Sequence, residues 1–186
     1  MTLLILGLVI WTAAHLFKPL MPEARGALAG RLGEGPSKGV MAFVIAIALV
    51  LMIIGFRQAP VENVWFPPAW TKHLNNLLML IAVALFGLRH AKSRARGWVR
   101  DPMLTGVVVW AVAHLLVNGD VASIVLFGWL GIWALVEMVF ARRKPAAPLP
   151  AVSTAGEIRF VLITLVVFGV IAAIHTWLGY PPFPQG

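Results

Sequence analysis

Six apolar stretches separated by short polar breaks lay out the chain: Thr2–Phe17, Gly39–Phe56, Leu74–Leu88, Met103–Val117, Val121–Phe140 and Phe160–Leu178. Apolar residues run continuously within them instead of alternating with polar ones, which predicts membrane-spanning helices rather than barrel strands. Several are shorter than the roughly 20 residues of a usual span, so the helices are expected to extend into flanking residues such as Trp70 and Asp101. The breaks carry turn chemistry. Glu34-Gly35-Pro36-Ser37 interrupts the chain before the second segment, and the proline-rich stretch Pro145 to Pro150 reads as a stiff linker before the sixth. Asn118-Gly119-Asp120 is short enough only for a tight turn, so the fourth and fifth helices should form an antiparallel hairpin. The longer loop from Arg57 to Lys72 holds Trp65, Phe66 and Trp70, which read as an interfacial belt rather than a lid. The closing GYPPFPQG cannot continue a helix and is expected to lie along the outer surface.

The expected fold class is therefore all-α: a polytopic membrane helix bundle of about six transmembrane helices, forming one integral-membrane domain over residues 1–186. With 60% hydrophobic and 12% charged residues and a mean hydropathy of +0.89, the composition departs from that of soluble domains in the same direction. Cysteine is absent, which removes disulfides, thiol nucleophiles, iron–sulfur clusters and covalent c-type haem. Any redox chemistry must come from a non-covalent cofactor.

The net charge of +8 is distributed by topology, not as a nucleic-acid surface. Lys18, Arg25, Arg31 and Lys38 follow the first segment, and Arg89, Lys92, Arg94, Arg96 and Arg100 follow the third. Arg142, Arg143, Lys144 and Arg159 follow the fifth, leaving only Arg57 and Lys72 for the opposite face. The positive-inside rule then puts both termini outside and the basic loops in the cytoplasm of a multi-pass membrane protein. The lipid bilayer is the expected partner, and nucleic acid is not. No charged region precedes the first apolar run, so the opening helix is expected to be retained rather than cleaved as a signal peptide.

Histidine is the candidate chemistry. Trp11-Thr-Ala-Ala-His15-Leu16 and Trp110-Ala-Val-Ala-His114-Leu115 repeat one spelling, each placing an imidazole one helical turn after a tryptophan. Trp110, His114 and Asn118 share a face. A polar side chain at membrane depth costs a few kcal/mol unless it is paired. Counting along the helices groups His73, His114 and His175 toward the outer side and sets His15 about 10 Å lower than His114. His90, in a basic loop, reads as solvated. Three readings stay open: interhelical hydrogen bonding to a carbonyl or to Asn75, Asn76 or Asn118; ligation of iron in haem b, which suits a carboxylate-poor bundle with two histidines; and, ranked last, a proton relay or channel, for which buried acids are too sparse. For haem, depth points to His73 as partner of His114.

The stretches WTAAHLFKPLMPEARGAL, PPAWTKHLNNLLML and DPMLTGVVVWAVAHLLVNGDVASIVLFG resemble the NnrU family of bacterial membrane proteins, from Met1 to about Arg143. The resemblance implies a single NnrU-like domain with its core at 1–143 and a less distinctive last helix at 160–178. It further implies a role beside nitrite and nitric oxide reduction in denitrification, as a redox or maturation partner of the reductases. The same family relationship extends to the plant zeta-carotene isomerase, a membrane haem b enzyme, and implies an alternative as a haem-dependent cis–trans isomerase of a lipophilic polyene. Carried over by position, the haem ligands and metal-binding residues are His114 and His15. Where the isomerase-like pattern reads R-H-P, this chain has Arg100-Asp101-Pro102. A non-catalytic protein whose histidines only hold helices together is the remaining alternative.

Overall fold

The computed structural model describes residues 1–141, 148–149 and 151–183. Arg142, Arg143 and Lys144, most of the proline-rich linker and the last three residues of the tail lie outside the described residues. Among the described residues seven α-helices run in order: α1 Thr2–Leu20, α2 Pro22–Leu32, α3 Glu34–Arg57, α4 Thr71–Leu88, α5 Pro102–Leu115, α6 Val121–Ala141 and α7 Thr154–Trp177. Five of them (α1, α3, α4, α6 and α7) are long and apolar enough to cross a bilayer, while α5 is apolar but shorter. The expected multi-pass helical bundle is what the chain forms.

Helix ends follow local chemistry. Trp70 and Asp101 flank α4 and α5, as the short apolar runs required. Pro102 opens α5, where its missing N–H has no partner to lose. Asp120 starts α6 by accepting from Ser123 N at 2.9 Å and Ser123 Oγ at 2.6 Å. Ser153 Oγ starts α7 by accepting from Gly156 N at 3.1 Å. Two expectations need correction. The break before α3 is Gly33, whose φ of 85° favours glycine, and Glu34 to Ser37 already form the first turn of α3. Pro36 is tolerated there because first-turn amides have no intrahelical acceptor. The basic stretch after α1, read as a loop, forms α2 instead.

The chain divides into two compact units, Met1–Asn63 with Asp120–Trp129, and Val64–Gly119 with Leu130–Gly186. In the first, α1 and α3 run antiparallel in close approach: Gly7 lies against Ala48 and Met52, and Gly55 against the backbone of Leu3 and Leu4. Small residues let the two backbones meet, the usual way helices gain contact in lipid. Arg25 Nη1 donates to Ser37 Oγ at 3.2 Å and ties α2 to the start of α3. Trp129 Nε1 donates to Thr12 Oγ1 at 2.9 Å.

In the second unit α4 and α5 are antiparallel. Gly106 of α5 faces Ala82 and Phe86 of α4, while at the other end Val64 N donates to Gly119 O at 2.8 Å and Gly119 lies against Trp65. Packing on α4 also positions α7, through Phe160 beside Gly87. The loop before α4 thus docks on the turn after α5, two segments the charge pattern assigns to one face. Phe66 and Trp70 stay exposed, as a belt requires, whereas Trp65 is partly covered.

Candidate functional site

α5 has 14 residues and spans about 21 Å, well short of a bilayer core of about 30 Å. His114 sits in its last turn. A helix ending at membrane depth exposes carbonyls that lipid cannot satisfy. Here the chain closes on itself: Val117 N and Asn118 N donate to His114 O at 3.2 and 3.0 Å. Asn118 Nδ2 adds a third bond to the same oxygen at 2.8 Å. The face shared by Trp110, His114 and Asn118 is therefore a helix stop carrying an imidazole.

The ring of His114 is fixed by its own helix. Nδ1 lies 2.9 Å from Trp110 O, and the Trp110 and His114 rings are 5.1 Å apart and tilted by 50°. A carbonyl oxygen only accepts, so Nδ1 carries the hydrogen and a neutral ring holds its lone pair on Nε2. His15 repeats the arrangement in the first unit, with Nδ1 2.9 Å from Trp11 O and ring centroids 4.3 Å apart. The two W-x-x-A-H-L segments thus give the same local geometry, and each tryptophan packs on its own histidine. His175 makes the same bond to Ile171 O at 2.8 Å, without a tryptophan.

His114, His15 and His175 are each half-buried, while His73 and His90 are exposed. Within the second unit the imidazoles of His114 and His175 are near enough to interact electrostatically. Depth along the sequence grouped these two, but only the packing of α7 makes them neighbours. Eight residues separate Gly106 from His114, and the same count along antiparallel α4 falls at residues 74–78. Asn75 and Asn76 lie there. Asn76 Nδ2 donates to Pro182 O at 3.0 Å and anchors the segment after α7. Asn75 is 8% exposed, and its Oδ1 has no hydrogen-bond partner among the described residues. A buried acceptor left so calls for a donor from water or a ligand.

Three arginines of the basic stretch after α4 are engaged by the protein. Arg94 N and Nε lie 2.9 and 3.6 Å from Glu157 Oε1. Arg96 is buried and donates to Val99 O at 3.0 Å. Arg100 lies 3.9 Å from Asp101, the residue standing where the isomerase-like pattern has histidine. Among the described residues no group of three or more His, Asp or Glu side chains is arranged to hold a metal ion. A haem iron asks the protein for two imidazoles at most, and its remaining ligands come from the macrocycle.

A family model described as NnrU protein matches residues 3–182 of the chain, reaching through α7. No curated protein and no solved structure matches it.

Proposed function

The chain belongs to the NnrU family, and from that premise we propose that it is an integral membrane haem b-binding protein of the bacterial cytoplasmic membrane, acting beside nitrite and nitric oxide reduction as a redox or maturation partner. The observation that supports the haem reading is the Nδ1 bond that His114 and His15 each make to a carbonyl of its own helix. Each gives its Nδ1 hydrogen to a backbone carbonyl one turn earlier and keeps Nε2 as an electron-pair donor. That is the disposition of metal-ligating histidines, whose second nitrogen is held by a carbonyl or carboxylate that fixes ring orientation and raises ligand basicity. Interhelical glue does not ask three histidines to adopt the same Nδ1 bond within their own helices.

When bound, haem would supply a one-electron couple at its iron. The chain's part is to present Nε2, to hold the ring by the Trp110 carbonyl and the tilted indole beside it, and to shut water out with apolar helix faces. His114 is the first ligand. His15 is the partner that family correspondence favours, with His73 and His175 as the competing positions.

Protein purified from haem-sufficient cells is expected to show a Soret band, and a colourless, iron-free preparation would sink the reading. His114→Ala should abolish or strongly shift that band while the protein still inserts, and a normal bis-histidine spectrum in this variant would overturn the site. The same substitution at His15, His73 and His175 identifies the second ligand as the one that reproduces the His114 defect.

A further inference from the structure

Between α4 and α7 runs a cavity of about 500 Å³. Its walls are Val83 and Phe86 of α4 and Phe160, Ile163, Val167 and Ile171 of α7, and its mouth carries His90, Lys92 and Arg159. We propose that this groove binds one anionic phospholipid, with the headgroup between Lys92 and Arg159 and an acyl chain along Phe86, Ile163 and Val167.

Charge complementarity commits the occupant. Lys92 and Arg159 have no carboxylate partner among the described residues, and the nearby Glu157 is taken by Arg94 at 3.6 Å. Basic residues at the cytoplasmic end of a bundle attract anionic lipid headgroups. The walls make the ligand a lipid rather than a free anion. Ile163 and Val167 are 52% and 40% exposed on a helix that is mostly uncovered, so the groove opens to the surroundings of the bundle. From Arg159 to Ile171 the helix rises about 18 Å, close to one leaflet of a core about 30 Å thick. Thr164, which also lines the groove, stands about 7.5 Å above Arg159, the depth of a glycerol ester. Gly87 also lines the groove, and a Cβ there would meet nothing nearer than Phe160 Cε2 at 3.8 Å, so a larger side chain has room to enter it. None of the candidate haem ligands His15, His73, His114 and His175 lines this cavity.

The test is native mass spectrometry of the full chain in non-ionic detergent, titrated with phosphatidylglycerol and phosphatidylcholine of identical acyl chains. Phosphatidylglycerol should be retained about tenfold better. The double variant Lys92→Gln/Arg159→Gln should lose the preference, and Lys92→Arg/Arg159→Lys, which keeps the charge, should preserve it. Gly87→Leu should lower retention of both lipids by filling the groove. Lys72→Gln, at the opposite end of α4, should change nothing. Equal retention of the two lipids by the unaltered protein would overturn the proposal, as would an unchanged preference in the neutralised pair. Displacement of phosphatidylglycerol by equimolar inorganic phosphate would overturn it too, because the site would then be one for a free anion.

Discussion

The carbonyl of His114 carries more of the local structure than its imidazole does. It accepts three N–H groups, one of them the side-chain amide of Asn118 at 2.8 Å. Asn118 therefore both ends α5 and steadies the backbone from which the ring projects. Asn118→Ala should lose about 1 kcal/mol and lower the melting temperature by about 2–4 °C for a chain of this size. Asn118→Asp should be worse than alanine, since a carboxylate offers the carbonyl no donor and sets two oxygens face to face. Thermal melts in detergent give the order, and an aspartate variant as stable as the unaltered protein would refute this role. The W-x-x-A-H-L spelling, which sets each imidazole one helical turn after a tryptophan, was legible in the sequence. The tautomer was not, because it depends on a rotamer that brings Nδ1 to the carbonyl four residues back. Nor was the approach of His175 to His114, which depends on the register of α7 beside α4, set where Phe160 meets Gly87.

At the scale of elements, hydrophobic runs located every long helix, because in lipid an apolar segment must satisfy its backbone internally. α2 escaped because PEARGALAGRL has no apolar stripe and buries no residue. Its helix rests on Pro22 at the start, good helix formers along its length and Gly33 at its end. The close approach of α1 and α3 was also hidden, since glycine in a membrane segment has no single meaning until its neighbour is known. A Cβ on Gly7 would come within 2.7 Å of Ala48 O and 2.8 Å of Met52 N, and backbone atoms cannot step aside as a flexible side chain does. Gly7→Ala should therefore cost about 1–3 kcal/mol by forcing the helices apart. Gly39→Ala, in α3 with nothing within 4 Å, should be neutral or slightly stabilising. Chemical unfolding in mixed micelles compares them, and equal behaviour would contradict the packing described for α1 and α3.

For the whole molecule, the uneven scatter of cations predicts sidedness. Within the second unit Arg89, Lys92, Arg94, Arg96, Arg100 and Arg159 gather at the α4–α7 junction end, with Lys72 at the other. Reporter fusions after Arg94 should be cytoplasmic and those after Asn63 external; the reverse pattern would invert the topology and the depth assigned to every histidine. How α7 is fastened carries a further consequence, for motion. Near its start Gly156 is wedged against Lys92 and Glu157 holds Arg94; beyond its end Asn76 grips the Pro182 carbonyl, and most of the span between is uncovered. A rod pinned at both ends cannot swing open by fraying from one of them. Breathing of α7 should be concerted, so cutting either tether, by Glu157→Gln or Asn76→Ala, should speed amide exchange at the end it releases while the opposite end stays protected.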